Sequence, residues 1–181
     1  MNHTEKKLSG EQVFSGILIR VEQDRVELEN GAQAMREVVR HRGAVAVLAL
    51  EKEKILLVRQ YRYPIGREML EIPAGKLEAG EEPYPAAMRE LSEETGCTCE
   101  ELLPLGDYYG SAGFCDEKLR LYFARVEQTG AQHPDADEFL SVERYTVAQM
   151  REKIARGEIA DGKTLSAFAL ADSRGLLKPA E

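Results

Sequence analysis

Seven consecutive apolar residues, Ala44–Leu50 (AVAVLAL), restrict this chain more than any other feature of it. Successive side chains of a strand point to opposite faces, so a run that is apolar throughout reads as a strand buried on both. No longer apolar run occurs in the chain, and a membrane helix needs about 20 such residues. The charged turn Glu51-Lys52-Glu53-Lys54 follows, and Ile55–Tyr61 then returns as a second strand. The core of the fold is expected here.

The flanking segments complete an order of elements. Val13–Val21 carries Phe14, Ile17, Ile19 and Val21 in partial alternation, Arg25–Glu29 alternates charge with Val26 and Leu28, and Glu29-Asn30-Gly31-Ala32 is a turn signal. With Ala34–His41 these predict a small antiparallel β subdomain over residues 1–40. Arg67–Ile72 predicts a short strand stopped by Pro73 and Gly75, followed by a loop rich in Gly, Glu and Pro. Pro83–Thr95 predicts a helix, with proline in its first turn, Ala86, Ala87, Met88 and Leu91 inside and Gly96 at its end. Leu102–Tyr109, Leu119–Val126 and Val142–Tyr145 predict strands; Thr146–Arg156 and Thr164–Arg174 have helical character. A length of 181 residues suits one domain, or one domain plus a short appendage. The predicted class is α+β: an α/β/α sandwich with a mixed sheet over residues 41–181, and the β subdomain before it. No G-x-G-x-x-G opens a helix, which argues against a doubly wound nucleotide-binding sheet.

Charge narrows the function. The formal net charge is −8, whereas proteins that grip nucleic-acid phosphates are usually basic. No nucleic-acid partner is therefore expected, and no membrane partner. Three cysteines and a polar N-terminus without a secretory pattern point to a reducing cytoplasm. The acid is concentrated. Glu78–Glu101 holds eight Glu and one Arg, so it carries all but one unit of the net charge.

Within that segment, Arg89-Glu90-Leu91-Ser92-Glu93-Glu94 falls on the predicted helix. Residues three and four apart share a helix face, so Glu90, Glu93 and Glu94 are expected to converge. Like charges repel there, and the C-terminal half of a helix disfavours anions. A hard divalent cation bound by carboxylate oxygens would compensate, with Arg89 bracing one carboxylate. A solvated acidic face is the plainer alternative. The loop before the helix favours the cation, because Gly75 and Gly80 permit tight turns, close backbone approach and a carbonyl ligand.

Residues 75–97 read GKLEAGEEPYPAAMRELSEETGC. This resembles the Nudix box, in which G, five residues, E and seven residues precede R-E-U-x-E-E-x-G-U, with U aliphatic. Gly75, Glu81, Arg89, Glu90, Leu91, Glu93, Glu94 and Gly96 fall in place, and Cys97 takes the last aliphatic position. The resemblance implies a metal-dependent hydrolase of nucleoside diphosphates linked to another moiety, built on the Nudix sandwich. It implies Mg²⁺ (or Mn²⁺) held by Glu90, Glu94, the Ala74 carbonyl and Glu93, the last as ligand or support, with Glu81 and Arg89 bracing.

Three flanking stretches are similar to the ADP-ribose pyrophosphatase branch: Gln60-Tyr61-Arg62-Tyr63-Pro64, Glu71-Ile72-Pro73-Ala74-Gly75, and Ser111-Ala112-Gly113-Phe114-Cys115-Asp116-Glu117. Ala112 replaces that branch's proline, which leaves other nucleoside diphosphate sugars (GDP- or UDP-linked) as rival substrates and a non-catalytic nucleotide-binding module as a third reading. By the same resemblance Arg62 would contact phosphate or terminal ribose. The N-terminal strands would exchange in a homodimer, with Arg40 and Arg36 reaching the partner's substrate. Glu138, in the acidic loop Asp135-Ala136-Asp137-Glu138, would be the general base on a closing loop. Of the aromatics beside the motifs (Tyr61, Tyr63, Tyr108, Tyr109 and Phe114), one could stack on a base, Phe114 being the choice; core packing is the alternative. Cys97, Cys99 and Cys115 read as inert thiols rather than a zinc site, and His3, His41 and His133 are scattered.

Overall fold

The structure, a computed structural model, describes residues 3–134 and 138–178. The chain divides into two compact units, Met1–Gly43 with Tyr109–Lys118, and Ala44–Tyr108 with Leu119–Glu181.

The first unit is an antiparallel sheet of β1 (Lys6–Ser15), β2 (Arg20–Glu27) and β3 (Gln33–Arg40), in that order. The strand expected over Val13–Val21 is instead a hairpin. Its turn is closed by the Gly16 N–H donating to the Ile19 carbonyl at 2.9 Å, and Phe14 pairs with Val21 across it. Alternation hid this turn because Phe14 and Val21 lie on opposite arms. β1 begins earlier than its apolar residues suggest; it is exposed along its whole length, so no burial pattern marks it. The turn at Asn30-Gly31 forms as expected, with Gly31 at φ 80°. The segment 109–118 lies along β3, where Val39 N–H donates to the Phe114 carbonyl at 2.7 Å and Asp116 N–H to the Val39 carbonyl at 3.0 Å.

The second unit is built on β4 (Ala44–Glu51). Its main sheet also contains β5 (Lys54–Arg62), β6 (Arg67–Glu71), β7 (Ala74–Lys76), β9 (Leu102–Tyr108), β10 (Leu119–Arg125) and β12 (Leu140–Thr146). The strand order is β12-β5-β4-β10-β9, with β6 on β5 and β7 on β4. β4 and β10 run parallel and the other pairs antiparallel, so the sheet is mixed. The apolar run of β4 divides between two cores as its alternation requires. Ala44, Ala46, Leu48 and Leu50 join Phe123, Met150 and Phe168 under α2 (Val147–Ala155) and α3 (Gly162–Ser173). Val45, Val47 and Ala49 join Leu56, Ala86, Ala87 and Leu91 under α1 (Pro83–Thr95). The unit is therefore the expected α/β/α sandwich. β8 (Cys97–Thr98) and β11 (Gln128–Thr129) form a separate two-residue pair that no sequence pattern announced. Among the described residues no helix is long and apolar enough to cross a membrane.

Three local choices fix α1. Pro83 occupies its start, where a missing N–H costs nothing. Ala86 and Ala87 are fully buried, and their small side chains let the helix lie close on the sheet. Gly96 ends it at φ 70°, its N–H donating to the Ser92 carbonyl at 2.8 Å, and a Cβ there would overlap the Gly130 carbonyl.

Phe123 is 1% exposed whereas Phe139 is 85% exposed. Phe123→Ala should cost about 3–5 kcal/mol in urea unfolding and Phe139→Ala no more than about 0.5 kcal/mol. Equal losses from the two would contradict this core.

Candidate active site

β7 brings Ala74 and Gly75 alongside Ala46 and Val45 of β4, and α1 crosses the same face. The result is a close approach of backbone and carboxylate. A Cβ on Gly75 would overlap the Glu90 carboxyl group, so only glycine leaves that space free. The Ala74 N–H donates to Glu94 Oε2 at 3.1 Å. The segment at 74–76, expected to be loop, is thus a strand tied to both β4 and α1.

The three glutamates of α1 do not all converge. Glu90 and Glu94 are buried, at 8% and 1% exposure, whereas Glu93 is only half-buried. At about 100° per residue, Glu94 lies about 40° from Glu90 around the helix but about 100° from Glu93. Glu93 is taken by Arg89, whose Nη1 donates to its Oε2 at 2.8 Å. Arg89 also forms a two-pronged pair with Glu81, both bonds 3.0 Å, and approaches Glu90 Oε1 at 2.9 Å. Glu81 additionally accepts the Glu78 N–H at 2.9 Å. Arg89 and that N–H hold the Glu81 carboxyl below its ordinary range, and the carboxylates around Arg89 raise the guanidinium's own pKa. Arg89 therefore links the loop before α1 to the helix.

Burial pushes the Glu94 carboxyl up to about 8; the Ala74 N–H opposes this, and the negative charges of Glu138 and Glu90 add to it. Glu90 is raised for the same first reason, with Arg89 opposing and Glu93 and Glu138 adding. Two buried carboxylates with too little positive charge around them, beside a backbone with no side chain in the way, suit a hard divalent cation. The donors would be carboxylate and carbonyl oxygens, the preference of Mg²⁺ and Mn²⁺. Among the described residues no three acidic, histidine or cysteine side chains are gathered into a metal-holding group, so the fit rests on Glu90, Glu94 and the Ala74 backbone, with Glu93 committed to Arg89.

Glu138 is half-buried and its charge reaches both Glu90 and Glu94. Its companions Asp135 and Asp137 lie outside the described residues. Arg62 sits on Glu71, its Nε and Nη2 each 2.7 Å from the two carboxylate oxygens. Lys163 of α3 binds the same carboxylate. Burial raises the Glu71 pKa, but Arg62 and Lys163 outweigh it and hold the carboxyl below its usual range. Glu71 and Lys163 were not singled out from sequence as site residues. Glu71 sits in the quoted E-I-P-A-G stretch, and Lys163 is the lysine of Gly157–Thr164, whose letters fit G-x4-G-K-T; a helix, α2, precedes that stretch where a phosphate loop needs a strand, and the lysine is bound to Glu71 instead.

The remaining candidates belong to the first unit. Arg36 is paired with Glu5 at 2.6 and 2.9 Å. Arg40 is paired with Glu22 at 2.9 and 3.0 Å and with Asp116 at 3.2 Å. Phe114 and Tyr109 are exposed beside a surface pocket of about 430 Å³ that Val38 and Ala112 also line. All three cysteines are free thiols: Cys97 and Cys99 are buried in the core under α1, and Cys115 is half-buried.

Residues 39–168 match the NUDIX domain family, and the chain belongs to it. It is 44% identical over 169 residues to an ADP-ribose pyrophosphatase of Bacillus subtilis, covering 91% of this chain and 90% of that one. It is 43% identical over 177 residues to a methanol dehydrogenase activator of Bacillus methanolicus, covering 96% of each. A crystal structure of an ADP compounds hydrolase shares the fold, with a TM-score of 0.82, 24% identity and 95% coverage of both chains.

Between the ordinary carboxyl value of 4.5 and about 8, the folded chain keeps a proton at Glu94 that the unfolded chain has released. This group therefore favours the fold at low pH, and its contribution is lost as pH rises through about 8. In chelator, the parent's melting temperature should fall more between about pH 5 and about pH 8 than that of Glu94→Gln. Added Mg²⁺ should restore the parent more at the higher pH, because binding requires the carboxylate. Parallel pH profiles for parent and variant would contradict the geometry.

Proposed function

We propose that this chain is a divalent-metal-dependent pyrophosphatase that splits ADP-ribose into AMP and ribose 5-phosphate. The observation that carries this is the pair of buried, under-compensated carboxylates, Glu90 and Glu94, against Gly75. The substrate comes from the relatives named ADP-ribose pyrophosphatase, at 44% identity in Bacillus subtilis and 36% in Mycobacterium tuberculosis.

In this reading Glu90, Glu94 and the Ala74 carbonyl would hold Mg²⁺ or Mn²⁺, which when bound would neutralise diphosphate oxygens and make a water more acidic. Arg89 holds Glu81 and Glu93 and so keeps α1 fixed on its loop. Arg62, anchored on Glu71, turns its remaining N–H groups to the anionic substrate. Glu138, whose charge reaches Glu90 and Glu94, takes the proton of the attacking water. A second substrate reading, another nucleoside diphosphate sugar, is favoured by Ala112 at the branch's proline position.

The proposal extends to a homodimer. β1 leaves Leu8, Val13 and Phe14 exposed, and Ile17 and Leu18 of the adjoining turn with them, which suits burial against a second copy. Arg40 and Arg36 could reach a partner's substrate only by giving up their present carboxylate partners. Three unpaired thiols suit a cytoplasmic location.

The test is a substrate panel of ADP-ribose and GDP- and UDP-sugars with Mg²⁺ or Mn²⁺. AMP should be released fastest from ADP-ribose. Glu94→Gln should lower kcat at least about 100-fold, and Glu138→Gln about 10²–10⁴-fold with KM little changed. No turnover on the panel would overturn the hydrolase reading; full activity of Glu94→Gln would overturn the metal assignment.

A further inference from the structure

Among the described residues Lys163 is the only buried lysine, at 8% exposure, and burial opposes its charge. It is the second residue of α3, where the helix dipole is unfavourable to positive charge. An uncharged side chain of similar length would fill the same space without desolvating an ammonium group.

The ammonium is held by Glu71 Oε2 and, at 3.1 Å, by Asp161 Oδ2. Glu71 thus serves two cations, since Arg62 takes both its oxygens. Asp161 is the N-cap of α3 and accepts from the Thr164 N–H at 3.0 Å and the Thr164 hydroxyl at 2.6 Å, so the positive end of the helix offsets part of its charge. The same turn fixes the strand that enters the site: Thr164 Oγ1 accepts the Ile72 N–H at 2.9 Å, two residues before the Ala74 N–H that holds Glu94. Gly162 lies so close to the Tyr108 hydroxyl that a Cβ would overlap it, which seats the turn firmly.

The charge balance has a consequence for Arg62. Without Lys163, its guanidinium would face two carboxylates, Glu71 and Asp161, in a group of net negative charge that opposes an anion. With Lys163 bound to both carboxylates the four charges balance, and the positive end of α3 adds to the cationic side. Arg62 keeps its Nη1 clear of Glu71 and is near enough to feel the charges of Asp161 and Glu94.

Resting on the hydrolase reading above, we propose that Lys163 is a positioning residue for substrate binding: by sharing Glu71 it keeps Arg62 anchored while leaving Arg62 positive charge for the diphosphate. Lys163 does not touch the substrate. Its effect passes through Arg62, and that makes the proposal separable from simple stabilisation.

The experiment is a cycle of four proteins, the parent, Lys163→Met, Arg62→Ala and the double variant, assayed with ADP-ribose and Mg²⁺ and by thermal unfolding. Lys163→Met should raise KM about tenfold with kcat within about threefold of the parent. In the Arg62→Ala background the same substitution should change KM less than about twofold, although it still lowers the melting temperature. Lys163→Gln, which keeps a hydrogen-bond donor without the charge, should repeat the KM effect and serves if Lys163→Met does not fold. An equal KM rise in both backgrounds, a lower melting temperature with KM unchanged, or failure of both Lys163 variants to fold would overturn the proposal. A parent inactive on every nucleoside diphosphate sugar would overturn the hydrolase reading and this inference together; an active parent whose KM ignores Lys163 would overturn this inference alone.

Discussion

Burial of β4 on both faces is the constraint from which the second unit follows. A strand with no polar face must have a neighbour on each edge and a layer on each side. Its edges are taken by β10 and by β5 and β7, and its faces by α1 and by α2 and α3. The site depends on this directly. Because Ala46 pairs with Ala74 and Val45 with Gly75, the backbone of β7 is held under α1 at the point where Glu90 and Glu94 turn inward.

Around that point the fold manages charge rather than apolar area. Arg89 gathers Glu81, Glu90 and Glu93 from a loop and a helix. Arg62 and Lys163 meet on Glu71. Glu94 is buried with a backbone N–H and the charge of Arg62 on one side of the balance and the carboxylates of Glu138 and Glu90 on the other, and burial raises its pKa. Buried ion clusters of this kind contribute little net stability, since desolvation offsets attraction. Their place in a small region around one helix and one strand end makes better sense as preparation for a cation and an anionic substrate.

Much of the framework was legible because periodicity and punctuation agree in this chain. Pro83, the buried Ala86 and Ala87, and Gly96 mark α1 at both ends and on its inner face, and the helix has the expected bounds. β1 was misread because a strand exposed on both faces has no alternation to display. β7 was missed because three residues, one of them glycine, carry too little pattern; pairing with β4 decides it. In the site, the spacing of Glu90 and Glu94 was readable from the helical repeat. The commitment of Glu93 to Arg89 was not, because Arg89 has three carboxylates in reach, Glu81, Glu90 and Glu93, and only their placement in space shows that it holds all three.

The sequence by itself determined the family, through eight specified residues spread over 75–96, and the central strand, through one unbroken apolar run. These are local properties: each depends on residues close enough along the chain to share a helix turn or a strand. Tertiary structure alone decided that Glu71, 92 positions from Lys163, receives that lysine together with Arg62, and that Ala74 receives Glu94. Such pairings depend on which chain segments the sheet brings side by side, and electrostatics acts across that distance in space whatever the distance along the chain.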